Sequence, residues 1–478
     1  MGIASLEIGK RALLAQRLGL DVTSNNIANV NTTGYSRRTA NTAETDPQYT
    51  NAGFVGTGAL VDKLRSFREE FFDREIRSNL SRQKAYENDE KIIHKIESII
   101  AEPSDTGINE IVSEFYNSFE SLAIEPENTA QREYVISVGE TLVQRFNRTG
   151  EQFESMRSDI LVDINNDVVT ANRLISEIAE LNRKVSDQYS QDGSGSQTMI
   201  DEREVRLENL SEIASVAVTS GDFGMVNVFV GGINVVTNNI TTNLKAIETI
   251  TGLDGERSVS LVTVDNDDNT LNTVNPEAGI LSSNIKHFNE TLDPYDTSEN
   301  FSLYARLNRY TEAIVKNTNE VFNQGYGVND FTEPPPGRNF FEPAIETATA
   351  LNISISSDIA DPLDLPLSDA PGEIGNAEIA MRVARISTDT SFLDAMTPTE
   401  YYSGLLGRIG QISNESVNGA KTTRLVSEQL SNQRESVIGV NLDEEAINLI
   451  KYQKAFEAAS RVVNTTNEIL ATIINLGR

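Results

Sequence analysis

Residues 441–478 read NLDEEAINLIKYQKAFEAASRVVNTTNEILATIINLGR, with no proline and a single glycine, Gly477. Leu442, Leu449, Phe456, Val463 and Leu470 recur every seventh residue, and Tyr452, Ala459 and Ile473 lie three residues further on. This heptad spacing predicts a helix with one apolar stripe that needs a partner helix. Asn441 is suited to cap its start, and Glu444 is placed to reach back to the Asn441 amide as in a capping box. Asp443, Glu444 and Glu445 put negative charge in the first turn, where the helix dipole favours it.

The other end repeats the pattern. Leu6, Leu13, Leu20 and Ile27 are also spaced by seven, and the first proline is Pro47. Neither stripe is buried by its own helix, so the two ends are expected to return to each other as a coiled-coil pair. At about 1.5 Å per residue, each helix would be roughly 40–55 Å long.

The chain has 478 residues, enough for two to four domains. Its hydrophobic content is 38%, and it has no tryptophan. A net charge of −31 argues against nucleic acid and against an anionic membrane surface as partner. That charge is uneven: residues 1–38 carry +3 and residues 441–478 carry −1, leaving −33 for the middle. The ends read as built to pack, the middle as solvated. With no cysteine there is no disulfide and no thiolate metal site. No apolar run reaches the roughly 20 residues of a membrane span. Met1 to Leu20 contains Glu7, Lys10, Arg11 and Arg17, so it does not read as a cleavable secretory signal.

Outward from the ends, the first helix is expected to stop near Asn29, where Asn29-Val30-Asn31-Thr32-Thr33-Gly34 is dense in turn residues; Gly34 suits a left-handed C-terminal turn. A helix is expected from about Asp62 to Ile100, on a row of Leu64, Phe71, Ala85, Ile92 and Ile99, and another from Ile108 to Leu122 between Pro103 and Pro126. Residues 131–189 read as one very long helix. Phe146, Phe153, Ile160, Leu174 and Leu181 form one row, interrupted by Asp167, and Ile164, Ala171, Ile178 and Val185 form a second. Asp192 to Ser196 is its turn, and a short helix spans Ile200 to Leu210. After Gly221 the period becomes alternating, with strands around Val226–Val230, Val235–Val236 and Val259–Val264. Helix returns over Ser302–Asn323. Residues 331–372 hold seven of the thirteen prolines and read as loop with a strand near Leu351–Ile355, and a last helix covers Thr399–Ser436.

The expected fold is mainly α with an inserted β-rich module, in nested discontinuous domains. An inner domain of terminal helices takes residues 1–50 and 438–478. A rod-like helical bundle takes 51–220, 276–330 and 396–437. An outer β-rich module takes 221–275 and 331–395.

Signals for chemistry are weak. Residues 265–269 (DNDDN) resemble the start of a calcium loop, but the sixth position is Thr270 and the twelfth Pro276, so the coordination fails. Gly53, Gly56 and Gly58 do not form a phosphate-binding GxGxxG. His94 and His287 are the only histidines and lie far apart in the chain. Carboxylate pairs such as Glu444-Glu445 carry no catalytic signal among 71 acidic residues. No catalytic residue, metal ligand or cofactor site is assigned, and the chain is read as a non-enzyme.

Residues 18–37, LGLDVTSNNIANVNTTGYSR, resemble the N-terminal signature of the axial proteins of the bacterial flagellum, the rod, hook and hook-associated family. Residues 439–470, GVNLDEEAINLIKYQKAFEAASRVVNTTNEIL, resemble that family's C-terminal signature. The ending GYSR, in place of GFKR, favours the hook-associated branch. Residues 125–147, 200–218, 225–232 and 321–331 are similar to it as well, so the resemblance covers nearly the whole chain. It implies a structural subunit at the junction between hook and filament, without cofactor, assembled through its terminal helices. The partners it implies are other copies of the chain in a ring, hook subunits, a second junction protein on the filament side, and a flagellar export chaperone. It also implies an extracellular place in the flagellum, reached by export without a cleaved signal. The seams and the resemblance together suggest an assembly interface of Leu6, Leu13, Leu20, Ile27, Asn29, Gly34, Tyr35, Leu442, Leu449, Tyr452, Phe456, Val463, Leu470 and Ile473. A hook or rod subunit, a cytosolic coiled-coil scaffold, and an enzyme with an acidic cleft are the alternatives.

Overall fold

The structure is a computed structural model. It describes residues 2–32, 34–50, 53–66, 68–100, 107–192, 196–251, 256–265, 267–295, 301–343 and 347–476. The Gly193-Ser194-Gly195 part of the expected turn, Pro103, and Asn266 of the calcium-like stretch lie outside the described residues.

The chain begins with helix α1 (Gly2–Ala28) and four strands, β1 (Arg38–Glu44), β2 (Gln48–Thr50), β3 (Gly53–Val55) and β4 (Ala59–Ser66). Helices α2 (Glu70–Ile100), α3 (Ile108–Ile124), α4 (Thr129–Asp192) and α5 (Gln197–Ile213) follow. Next come β5 (Val216–Ser220), β6 (Val226–Val230), β7 (Ile233–Thr237), β8 (Ile240–Thr241), β9 (Asn243–Thr251), β10 (Glu256–Val264) and β11 (Thr270–Val274). After α6 (Ile280–Lys286) and α7 (Leu303–Phe322) stand the short strands β12 (Phe341–Glu342) and β13 (Ser354–Ile355). The chain ends with α8 (Glu378–Arg385), α9 (Pro398–Ile438) and α10 (Leu442–Leu476). It is a mainly α fold with β insertions, as the periodicities predict.

Two compact units share these elements. The first takes residues 1–81, 171–243 and 423–478; the second takes 82–170 and 244–422. Each is discontinuous in sequence.

In the first unit, α10 lies against α1, and β1 pairs antiparallel with β4 from Arg38↔Ser66 to Glu44↔Ala59. Strands β5-β6-β7-β8 form a meander whose inward Val228, Val230, Val235 and Val236 are buried. The helix expected from Asp62 therefore starts eight residues late, at Glu70. Residues 59–66 are strand because β1 offers them a ladder, and no local period reveals a partner that distant in sequence.

The second unit is a helical bundle with an aromatic centre. Phe115 and Phe119 of α3, Phe322 of α7, Phe340, and Phe341 of β12 pack edge to face, with Phe340 and Phe341 centroids 4.7 Å apart. Gly139 of α4 permits that centre: a Cβ there would meet Phe340 at 2.6 Å. Strands β11-β10-β9 make a three-stranded sheet. The alternation after Gly221 thus forms two separate sheets. Among the described residues of 331–395 there are only two two-residue strands, because prolines remove ladder donors, and α8 supplies regular structure instead.

Both apolar rows read along residues 131–189 are buried: Phe146, Phe153, Ile160, Leu174 and Leu181 in one, Ile164, Ala171, Ile178 and Val185 in the other. Asp167 occupies a position of the first row. Asn284 Nδ2 donates to it at 3.2 Å, and burial, with Asp163 nearby, raises its pKa to about 6. In the same region Asp89 accepts from buried His287 at 3.0 Å and also from Ser283.

Candidate functional site

The two terminal helices run antiparallel. Gly9 of α1 lies against Val463 of α10, Gly19 against Tyr452, and Asn26 beside Glu445. The glycines set the separation, since a Cβ at either would fall 2.6 Å from the facing side chain. In α1 the fully buried positions are Gly9, Ala15, Gly19, Val22, Thr23 and Asn26, whereas the seam residues Leu6, Leu13, Leu20 and Ile27 are half-buried. Sequence reading favoured large apolar residues at seven-residue intervals and missed the small ones that let α10 approach.

Beside the last turn of α1, the two ends are tied by buried polar groups. Asn26, 1% exposed, donates through Nδ2 to the Glu445 carboxylate at 3.1 Å and to the Arg38 carbonyl at 2.9 Å. Its Oδ1 accepts from the Arg38 amide at 3.1 Å and from the Tyr35 hydroxyl at 2.8 Å. Glu445, also 1% exposed, is paired with the Arg37 guanidinium through Nε at 2.9 Å and Nη2 at 2.8 Å. The Arg37 amide donates to the Ile438 carbonyl at 3.3 Å. Asn441 caps α10, accepting from the Asp443 amide at 2.9 Å and the Glu444 amide at 3.3 Å. Glu444 does not close the expected capping box; it pairs with Arg37 at 2.9 Å. A cation on the neighbouring turn is a stronger partner for a carboxylate than a backbone amide.

Gly34, φ +79°, takes the left-handed conformation its place in the signature predicts, and Val205 of α5 lies 2.5 Å from where its Cβ would be. Beyond it, Arg38 reaches Asp201 at 3.0 Å, and Arg68 reaches Asp73 at 2.7 Å and both Asp201 and Glu204 at 3.4 Å. Arg77 pairs with Glu204. Burial pushes the Asp201 and Glu204 carboxyls above their usual range despite these cations. Burial alone would lower Arg68, but Glu204, Asp73 and Asp201 around it raise it. A cleft of about 350 Å³ opens here, lined among others by Gly34, Tyr35, Arg68, Glu204, Val205 and Arg434. The acids that complete this joint, Asp201 and Glu204, lie in the interior stretch 200–218; nothing in its own period marks them as partners of Arg38 and Arg68.

The remaining expected interface residues divide between two faces. Asn29 closes the turn after α1, donating to the Asn25 carbonyl at 2.9 Å and accepting from Thr32 at 3.1 Å. Leu449, Tyr452, Phe456, Val463 and Leu470 are half-buried. Leu442 is 51% exposed and Ile473 59% exposed. With Gly9 opposite Val463 and α1 beginning at Gly2, Ile473 lies past the end of α1, which leaves it uncovered. Away from the line that meets α1, Ile447, Ile450, Val462 and Ile469 of α10 are exposed.

His94 is exposed and bonded to Glu97 at 2.8 Å, whereas His287 is buried against Asp89 and Thr291; the two have separate partners. Among the described residues, no group of three or more His, Asp or Glu side chains is arranged to hold a metal ion, and no helix is long and apolar enough to cross a membrane.

The joined ends are each similar to a family of flagellar proteins. Residues 6–35 match the flagella basal body rod protein family, and residues 435–476 match the C-terminal family of the flagellar basal body rod FlgEFG proteins. Residues 93–341, more than half of the chain, match the helical domain of the flagellar hook-associated protein FlgK, and the chain belongs to that family. It is 26% identical to flagellar hook-associated protein 1 of Bacillus subtilis, covering 98% of this chain and 97% of the relative. To the Escherichia coli protein of the same name it is 23% identical, covering 97% and 98%. The hook junction protein FlgK from Burkholderia pseudomallei shares the fold, with a TM-score of 0.62 at 11% identity, covering 76% of this chain and 100% of that one.

Proposed function

We propose that this chain is a structural subunit of the bacterial flagellum that forms the junction between hook and filament, and that it assembles through its terminal helices. The observation that carries this reading is the likeness, over nearly the full length, to relatives named flagellar hook-associated protein 1. The outer face of α10 supports the mode of assembly. Ile447, Ile450, Val462, Ile469 and Ile473 are exposed on a helix whose other face is taken by α1. Removing such a stripe from water contributes about 25 cal/mol per Å², and a neighbouring copy of the chain supplies the cover. The interface then combines the expected seam residues Leu6, Leu13, Leu20, Ile27, Leu449, Tyr452, Phe456, Val463 and Leu470 with the outer stripe that meets the next subunit.

Partners in this reading are further copies in a ring, hook subunits on one side, the second junction protein on the filament side, and an export chaperone beforehand. The place of work is the flagellum outside the cell. The role is mechanical, and no reaction is assigned. The decisive experiment is electron microscopy of a strain lacking the gene. Intact hooks with filaments shed into the medium are expected. Absent hooks would instead make the chain a hook or rod subunit, and attached filaments would remove the junction role.

A further inference from the structure

The apolar seam alone does not say how far α10 slides along α1. Both helices repeat at seven, so a slip of one heptad, about 10 Å, loses the close fits of Gly9 on Val463 and Gly19 on Tyr452 but still leaves a largely apolar seam. The polar groups are not periodic. Asn26 and Glu445 are the buried hydrogen-bonded pair between these helices, and Arg37 reaches the same carboxylate from the chain beyond α1. A slip in one direction sets Asn26 against Tyr452. A slip in the other sets Glu445 against Gly19. Either leaves a buried carboxylate or amide without the partners it has here, and a buried polar group without partners is strongly disfavoured. We infer that Asn26, Glu445 and Arg37 are the register key of the terminal helix pair: they act as positioning residues that select one alignment of α10 on α1.

The chain contains no cysteine, so register can be read with introduced pairs. The ideal Cβ of Gly9 lies 3.8 Å from the Val463 Cβ, a separation that suits a disulfide. In the full chain, Gly9→Cys with Val463→Cys should bridge under mild oxidation, whereas Gly9→Cys with Phe456→Cys, or with Leu470→Cys, each carrying Val463→Ala so that the new Cβ meets no side-chain clash, should not. Those last two pairs report the two one-heptad slips. Adding Asn26→Leu and Glu445→Leu keeps the seam apolar and removes the key, so one or both slipped pairs should gain a bridge absent from the parent on non-reducing gels. Glu445→Gln retains an oxygen to accept from Asn26 and should bridge at 463 alone. If the double leucine variant still bridges only at 463, the seam sets the register and the inference fails. If it bridges at none of the three pairs, the polar groups hold the helices together rather than choose their alignment, and the inference fails too.

Discussion

The amide of Asn26 and the carboxylate of Glu445 meet at 3.1 Å although 419 positions separate them in sequence. Both are almost fully buried, and Arg37 neutralises the carboxylate from its other side. The two terminal signatures are thus parts of one structural element.

Removing one member of that buried pair should loosen the ends without unfolding the bundle. Glu445→Ala strands Asn26 Nδ2, deprives Arg37 of its buried partner, and should cost about 3 kcal/mol of α10 docking. Hydrogen exchange should accelerate over residues 2–28 and 442–476 and stay slow over 129–170. Unchanged protection of both ends would show that the polar joint contributes little.

Gly34→Val meets two obstacles, a left-handed backbone and the Val205 side chain. The expected loss is at least about 2 kcal/mol in a urea titration followed by a probe in the first unit. Adding Val205→Ala should restore part of it, because it relieves the clash and leaves the backbone strain. A full recovery would mean that φ at Gly34 does not matter.

Asp167 gives the second unit a pH dependence with a definite sign. Its folded pKa of about 6 exceeds the unfolded value near 3.8, so its contribution to stability is complete below pH 4 and is lost as pH rises through about 6. Asp167→Asn, which keeps an acceptor for Asn284, should raise stability above pH 6 and leave it nearly unchanged at pH 4. After discounting for the water that still reaches the group, the gain is about 1 kcal/mol. Melting curves at pH 4, 6 and 8 check this; equal shifts at all three would assign the effect to something other than the charge.

The two faces of α10 should respond differently to charge. Ile447→Asp with Ile469→Asp alters the exposed face, so melting of the isolated protein should move by less than about 1 kcal/mol. Cells should export the variant yet shed their filaments, with export verified by finding the protein in the medium. Leu449→Asp with Phe456→Asp puts charge between the helices and should release both ends even in the isolated protein, at a cost of several kcal/mol. If the outer-face variant retains filaments, neighbouring subunits do not meet there.

What the sequence determined by itself was everything carried by a local period. The long helix of residues 129–192, with its two buried rows, the interruption at Asp167, the terminal helices and the left-handed Gly34 all follow from spacing and from backbone preferences acting within a few turns. Tertiary structure decided what depends on a partner distant in the chain. Residues 59–66 became strand because β1 was there to pair with. Gly9 and Gly19, unremarkable in a helical pattern, became the contact points because Val463 and Tyr452 arrive against them. Glu444 left its own helix cap for Arg37, and Ile473 is exposed because it lies past the end of α1. A seven-residue repeat specifies that a helix needs a neighbour. Which residue of the neighbour it meets is set by side chains with only one satisfactory partner, here a buried amide, a carboxylate and a guanidinium drawn from opposite ends of the chain.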